Sequence, residues 1–176
     1  FADKYLTKNR IYEDQIECLP HKNLKYIIVI PAYNEEQIHN TLNSLKNATK
    51  PSFEVEIIIV VNASENSKKE VLEQNKKTVR DVKEWENTQA ECFFKTFVIE
   101  KEKLPEKYFG AGYARKIGMD EAISRFNKIN CKNGLIISLD ADTLVDSNYF
   151  KAIEEKFIQY PKLNAGIIFY EHPNKG

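Results

Sequence analysis

Two aspartates, Asp140 and Asp142, stand one residue apart directly after an apolar run of the sequence. The run, Leu135–Leu139, has the composition of a buried strand, so both carboxylates are expected at the C-terminal end of that strand. Closely spaced carboxylates supply hard oxygen ligands, which suit Mg²⁺ or Mn²⁺. In open α/β sheets, ligands bind at the edge where the strands end. The pattern predicts a divalent-cation site, with a simple acidic turn as the alternative.

Polar residues also follow the apolar run Tyr26–Ile30, which is predicted to form the first strand. Pro31 ends the hydrogen-bonding ladder of that strand, so Tyr33 falls in the turn before the next helix. The Tyr33 ring could stack on a nucleobase or simply pack against the loop. We expect Asn34 to cap the helix, because its side chain can accept a hydrogen bond from a free backbone N–H group. The Glu35 carboxylate would be stabilised by the partial positive charge at the start of the helix.

Two more turns carry groups that could bind a nucleotide. Asn62 follows the apolar run Glu54–Val61 and could hydrogen-bond a nucleobase edge, or serve only as a turn residue. Gly110 and Gly112 lie at the start of a predicted helix, whose free backbone N–H groups could bind an anion. Arg115, one turn further, could reach a phosphate or a uracil carbonyl with its forked donors. A glycine-rich loop with a surface arginine is the alternative.

The elements that must position these residues alternate along the chain. The predicted strands are Tyr26–Ile30, Glu54–Val61, Cys92–Ile99, Leu135–Leu139 and Ala165–Tyr170. The predicted helices are Glu35–Asn47, Lys68–Glu86, Gly112–Phe126, and a segment from Ser147, its N-cap, to Tyr160. This alternation predicts an α/β protein with a mainly parallel sheet and helices on both faces. We expect an N-terminal arm over residues 1–24, the main domain over 25–176, and one long irregular loop, Glu100–Gly110.

Composition limits the classes of partner. The 176 residues correspond to about one domain, and 26 basic side chains balance 26 acidic ones. A net charge of zero gives no support for binding to nucleic acid. Cys18, Cys92 and Cys131 lack disulfide or zinc spacing, so we expect three reduced and mostly buried thiols. No apolar run is long enough to span a membrane. We expect a cytoplasmic protein, with a peripheral position at the inner face of the membrane as the alternative.

Together, the motifs resemble the donor-binding half of family 2 glycosyltransferases, which have the type A glycosyltransferase fold. The matching segments are IIVIPAYNEE, IIIVVNASENS, GAGYARKIGMDEA and LIISLDADT, in this order and with matching spacing. They cover nearly all of the chain, from about Tyr26 to Tyr170. The resemblance implies a Rossmann-like sheet, a nucleotide-sugar donor of the UDP-sugar class, Mn²⁺ or Mg²⁺ as cofactor, and a place in the synthesis of cell-surface polysaccharides.

The resemblance also implies roles at the nucleotide. Ala32, Tyr33 and Glu35 match positions that line the nucleotide pocket. Asn62 stands where the family usually has an Asp that contacts the base, so uridine is the expected base. Arg115 matches the basic residue of the family's A-R-N segment, which reaches the nucleotide.

For the metal, the resemblance implies that Asp142 is the main ligand and holds the cation on the donor diphosphate. Asp140 matches a position against the ribose or the metal. His172 is a candidate third ligand, because histidine often binds metals. Lys116 stands where the family usually has Asn and could add a contact to phosphate.

The implied reaction transfers a sugar to an acceptor hydroxyl, with inversion at the anomeric carbon. The acceptor could be a saccharide, a lipid or a protein. A carboxylate is expected to deprotonate the hydroxyl. We expect this general base to lie beyond Gly176, because Glu171 and His172 are the only late candidates. The alternative is therefore a non-catalytic fragment or module that binds a nucleotide sugar.

Two other enzyme classes share part of the pattern. The segment LIISLDADTLV fits the DxDxT motif of haloacid dehalogenase phosphatases, in which the first Asp is a nucleophile. That motif usually opens the domain, whereas only 34 residues follow Asp142 here. A nucleotidyltransferase usually carries a glycine-rich signature with Arg and Lys after its first strand, where this chain has PAYNE. We expect neither class.

Overall fold

The computed structural model describes residues 1–89 and 91–171 of the chain. In this part of the chain the sheet has four strands, β1 (Leu24–Ala32), β2 (Glu54–Ser64), β3 (Phe94–Leu104) and β4 (Leu135–Ser138). Their order is β3-β2-β1-β4, and neighbouring strands are parallel. The helices are α1 (Asp3–Asn9), α2 (Ile38–Asn47), α3 (Lys69–Thr88), α4 (Ala111–Lys128) and α5 (Tyr149–Gln159), with a short 3-10 helix at Glu106–Tyr108. The predicted α/β class with a parallel sheet is confirmed.

Helices cover both faces of the sheet. Successive side chains of a strand point to opposite faces, so neighbouring residues of β1 contact helices on different sides. On one face, Ile28 and Ile30 of β1 belong to an apolar cluster that includes side chains of α2, α3 and α5. On the other face, Ile27 and Val29 belong to a cluster with Ile117 of α4. A strand that is buried on both sides needs a continuous apolar run, which is what the sequences of β1 and β2 contain.

Helix α4 lies close to the sheet at Gly118. A Cβ atom added at this residue would lie 2.4 Å from Cγ1 of Val29 and 3.1 Å from Cγ2 of Val60. Both neighbours are β-branched side chains with few accessible rotamers, so they leave no space for a methyl group. Glycine at position 118 therefore lets α4 contact β1 and β2 directly.

The N-terminal arm is held against α4 by two buried acidic side chains. Asp120 accepts hydrogen bonds from the Tyr5 hydroxyl (2.7 Å) and from the backbone N–H of Ile11 (3.0 Å). Glu121 accepts a hydrogen bond from the backbone N–H of Gln15 (2.8 Å), and burial raises the pKa of its carboxyl. The arm, which includes α1, therefore lies against the main domain.

The predicted strand Ala165–Tyr170 is wrong. Within the described residues, no strand is hydrogen-bonded to this segment in a sheet, and Ile167 is 96% exposed. An apolar run forms a strand only where a neighbouring strand supplies backbone partners. The sequence pattern shows the run but not its partner.

Both predicted helix caps are also wrong. Helix α2 begins at Ile38, and Asn34 lies in the preceding loop with a left-handed backbone conformation (φ 52°). Asparagine tolerates this conformation better than most residues, so it serves the turn rather than the helix. Helix α5 begins at Tyr149 without a side-chain cap, and the carbonyl of Ser147 instead accepts a hydrogen bond from the N–H of Thr49 (2.7 Å).

Two smaller expectations need correction. The segment Glu100–Gly110 is not irregular throughout, because β3 continues through it to Leu104 by pairing with β2. The three cysteines are free, but Cys18 is exposed and Cys92 and Cys131 are only partly buried.

None of the helices in the described part of the chain is both long enough and apolar enough to cross a lipid bilayer.

We expect Gly118→Ala to destabilise the protein by about 1–3 kcal/mol, because the added methyl group overpacks the contact with Val29 and Val60. Gly112→Ala is the matched control in the same helix, since no atom lies within 4 Å of the added Cβ. The control should be neutral or stabilising, because alanine favours helices more than glycine does. Urea unfolding of both variants checks this prediction, and equal free energies of unfolding would contradict it.

Candidate functional site

The carboxyl ends of the four strands meet at one edge of the sheet, because the strands run in the same direction. Ala32, buried at the end of β1, is paired with Val61 of β2. Tyr33 follows β1, Asn62 lies near the end of β2, and Asp140 lies just beyond β4. Strands β2 and β3 lie on one side of β1, and β4 lies on the other side, so the strand order changes direction between β1 and β4. Ligands of open α/β sheets bind at such a point.

Arg115 connects the first turns of α4 with the turn after β4. Its Nε donates a hydrogen bond to Oγ of Ser138 (3.0 Å), and its Nη2 donates one to Oδ1 of Asp140 in an ion pair. The guanidinium is partly exposed and the Asp140 carboxylate is mostly exposed. The predicted contact residue Arg115 and the predicted acidic residue Asp140 therefore lie together at the surface of this edge.

Asp142 faces an open cavity of about 410 Å³, which is also lined by Glu35, Glu36 and Leu144. Between the two aspartates, Ala141 is buried, and its carbonyl accepts a hydrogen bond of 2.6 Å from the buried Thr41 hydroxyl. This bond holds the acidic turn against α2. The structure therefore places Glu35 and Asp142 on the same cavity, as their proposed roles at one site require.

The predicted base-binding residues lie beside the connection between β3 and α4. The Tyr33 ring is 44% exposed and contacts the Phe109 ring edge to face, with 4.8 Å between the centroids. Asn62 is 1% exposed, and its Nδ2 donates a hydrogen bond to the carbonyl of Gly110 (3.1 Å). The Asn62 amide thus holds this connection in place, and its contact with a base stays a prediction.

Helix α3 holds the turns after β1 and β2 together. The buried Asn75 accepts a hydrogen bond from the N–H of Asn34 (2.8 Å) and donates one to the carbonyl of Asn62 (3.0 Å). Thr78 donates a hydrogen bond of 2.6 Å to the carbonyl of Glu35. These bonds supply partners for backbone groups of the turns that follow the strand ladder.

Thr41 and Asn75 belong to none of the sequence motifs of the site, although each leaves a trace in the sequence. Both are polar residues in the apolar stripe of a helix, Thr41 before Leu42 in α2 and Asn75 before Val79 in α3. A polar side chain in a buried stripe needs a hydrogen-bond partner, and the turns of the site supply it. Phe109 could not be recognised in this way, because a single aromatic residue in a loop, here partly buried, is not part of a sequence pattern.

Two other candidates are not part of this arrangement. Lys116 donates hydrogen bonds to the carbonyl of Asn9 (2.9 Å) and to the Asp120 carboxylate, so the suggested phosphate contact is not supported. His172, the candidate third metal ligand, lies outside the described residues. Glu171 is exposed, and no further contact marks it as a base.

The acidic turn fits a divalent cation only as part of a larger ligand set. The described residues contain no group of three or more His, Cys, Asp or Glu side chains that could hold a metal ion by themselves. Asp140 and Asp142 supply two carboxylates of the hard-oxygen type. Mg²⁺ is commonly held by one or two carboxylates together with substrate phosphates and water. The residues present therefore fit an ion that binds together with a phosphorylated ligand.

The family follows from a comparison of the whole sequence. Residues 27–176 match a family described as Glycosyl transferase family 2. The chain belongs to glycosyl transferase family 2. The resemblance in the sequence motifs is thus confirmed, and membership in this family excludes the haloacid dehalogenase and nucleotidyltransferase alternatives. Among curated proteins, no sequence matches the chain.

The fold is similar to that of solved structures of S. aureus TarS. The crystal structure of TarS 1-349 superposes on this chain with a TM-score of 0.53 and a sequence identity of 19%. The match covers 78% of this chain and 33% of that chain. The crystal structure of TarS 1-349 in complex with UDP-GlcNAc is 18% identical with a TM-score of 0.50, and the match covers 78% and 32%. This chain spans about one third of the length of those structures. At such identities the similarity concerns the fold alone.

We expect Thr41→Val to loosen the acidic turn, because it removes the hydroxyl that binds the buried carbonyl of Ala141. An unsatisfied buried carbonyl costs roughly 1–3 kcal/mol of folding free energy. Thr41→Ser keeps the hydroxyl and is the matched control. Unfolding free energies, together with hydrogen exchange of the amides near Asp142, check the prediction. Equal stability and equal exchange in the two variants would show that this bond does not hold the turn.

Proposed function

We propose that this chain is the donor-binding part of a glycosyltransferase that transfers a sugar from a nucleotide sugar to an acceptor hydroxyl. Membership in glycosyl transferase family 2 supports the reaction class. The observation that carries the proposal is the ion pair between Arg115 and Asp140 at the carboxyl edge of the sheet. The pair joins arginine, a side chain that commonly binds phosphate, to the acidic turn. Tyr33 and Asn62 lie at the ends of neighbouring strands on the same edge of the sheet.

The proposed donor is a UDP-sugar. TarS, which is similar in fold, has been crystallised in complex with UDP-GlcNAc, and this supports a UDP-sugar for the present chain. The base would stack on the exposed part of the Tyr33 ring, next to Ala32 and the turn that contains Asn62. The Arg115 guanidinium offers several N–H donors, so it can hold Asp140 and still donate to a phosphate oxygen.

The proposed cofactor is Mn²⁺ or Mg²⁺, held by Asp142 with Asp140 beside it. When bound, the ion supplies positive charge that offsets the negative charge developing on the leaving diphosphate. Glu35 lies on the same cavity as Asp142 and adds to the negative potential there. Arg115 and the N–H groups at the start of α4 would donate hydrogen bonds to the phosphates.

The acceptor side of the reaction requires groups other than the nucleotide and metal residues. An inverting transfer needs a carboxylate that accepts the proton of the acceptor hydroxyl on the face opposite the leaving group. None of the residues assigned to the nucleotide or the metal takes this role. The proposed acceptor is a saccharide, a lipid or a protein, and the whole protein would supply the base.

A second candidate function is the binding of a nucleotide sugar without its transfer, since the residues assigned to the nucleotide and the metal do not include a general base. Release of UDP from a UDP-sugar separates the two functions. An enzyme releases UDP in the presence of the cation, whereas a binding module retains the intact donor.

We expect the wild-type chain to bind UDP in the presence of Mn²⁺ and to lose this binding when the ion is removed with EDTA. Asp142→Ala should lower the affinity at least about tenfold, which corresponds to about 1.4 kcal/mol. The physical reason is the loss of the main carboxylate ligand of the ion that bridges to the diphosphate. Isothermal titration calorimetry measures both effects.

Asp146→Ala is the matched control for Asp142→Ala, because it removes an exposed carboxylate four residues away. This control should bind UDP like the wild type. Equal affinities of all three proteins would refute the metal assignment but not the nucleotide site. If the wild type bound no UDP with or without the ion, the proposed function would be wrong.

A further inference from the structure

The connection between β3 and α4, residues 105–110, contacts the two residues proposed to recognise the base. Phe109 packs edge to face on Tyr33, and the carbonyl of Gly110 accepts the hydrogen bond from Asn62. The preceding residue Leu104 is also fixed, because its carbonyl accepts a hydrogen bond of 2.9 Å from the N–H of Glu65. The connection is therefore attached on the sides of both β1 and β2.

The backbone conformation of Gly110 allows this attachment. Its φ angle is 120°, in a region that residues with a side chain rarely adopt. In this conformation the carbonyl of Gly110 contacts the Asn62 amide while Phe109 contacts Tyr33. The position of the Phe109 ring thus follows from a specific backbone conformation and from two contacts with the site.

The Phe109 and Tyr33 rings form a contact outside the apolar core. Neither ring is among the described side chains that make up the clusters on the two faces of the sheet. Tyr33 keeps 44% of its surface exposed despite the contact. A half-exposed tyrosine in a turn is free to change rotamer unless a neighbour holds it, and here the neighbour is Phe109.

The distance between the rings decides how a base could bind. A base inserted between the two rings would need about 7 Å between them, which is twice the contact distance of carbon atoms. The centroids are 4.8 Å apart at an angle of 62°. The rings therefore leave no room for a base between them, and a base that stacks on Tyr33 must use the exposed part of its ring.

We propose that Phe109 is a positioning residue of the nucleotide site, which holds the Tyr33 ring in the orientation that stacks on the nucleobase. This inference rests on the proposed function. Fixing the ring before binding lowers the ordering cost when the base stacks. The contribution is specific for the base, because Phe109 acts through Tyr33 and not through the residues assigned to phosphate and metal.

The test compares two probes, UDP and inorganic diphosphate, each titrated with Mn²⁺. Phe109→Ala should weaken UDP binding about threefold to tenfold, the range expected for an aromatic pair, and leave diphosphate binding unchanged. Phe109→Leu keeps most of the apolar volume without the ring and should show a similar loss, and Phe109→Tyr should restore binding. Tyr108→Ala is the control, because Tyr108 stacks on Tyr113 rather than on Tyr33.

A double-mutant cycle shows whether Phe109 acts through Tyr33. In the background of Tyr33→Ala, the further change Phe109→Ala should have no additional effect on UDP affinity. The inference is overturned if UDP and diphosphate affinities fall together, if UDP affinity is unchanged, or if the loss persists in the Tyr33→Ala background. A wild type that bound neither probe would instead overturn the proposed function itself.

Discussion

The backbone of helix α4 packs directly on the side chains of Val29 in β1 and Val60 in β2, because residue 118 is glycine. This contact sets the position of the whole helix, since an α-helix behaves as a rigid element over a few turns. Arg115 lies less than one turn before Gly118, so its guanidinium reaches Ser138 and Asp140 at the end of β4. The start of the helix, at Ala111, is fixed at the same edge of the sheet. A packing contact on the sheet thus determines the geometry of the charged groups.

Much of this arrangement could be predicted from the sequence, because two physical patterns coincide. The runs Tyr26–Ile30 and Ile57–Val61 are apolar without alternation, which favours strands buried on both faces and hence parallel neighbours. Polar residues follow each run within a few positions, and parallel strands place the turns at their carboxyl ends along one edge. Tyr33, Asn62 and Asp140 therefore had to lie near one another if the strands were neighbours. The strand order, with β1 between β2 and β4, satisfies that condition.

The remaining features could not be predicted, because a residue type does not reveal its partner. Lys116 has the charge to bind a phosphate, but the buried carboxylate of Asp120 lies one helical turn away and binds it. Asn34 has the side chain of a cap, yet its backbone N–H donates to Asn75, which is distant in sequence. The segment Ala165–Tyr170 has the composition of a strand but lacks a strand to pair with in the described structure. In each case the outcome depends on which groups lie nearby in the folded chain, and the residue type alone does not reveal them.

In the turn after β4, the carboxylates of Asp140 and Asp142 are one residue apart in sequence but have different surroundings. Ala141 is buried and its carbonyl is held by Thr41, whereas the aspartates on either side of it are both exposed. Asp140 is directed to Arg115, which balances its charge, whereas Asp142 faces the cavity that also contains Glu35. An uncompensated carboxylate attracts a cation more strongly than one that is already paired with arginine. The same geometry that pairs Asp140 with Arg115 therefore supports the proposal that Asp142 would be the main ligand of a divalent cation.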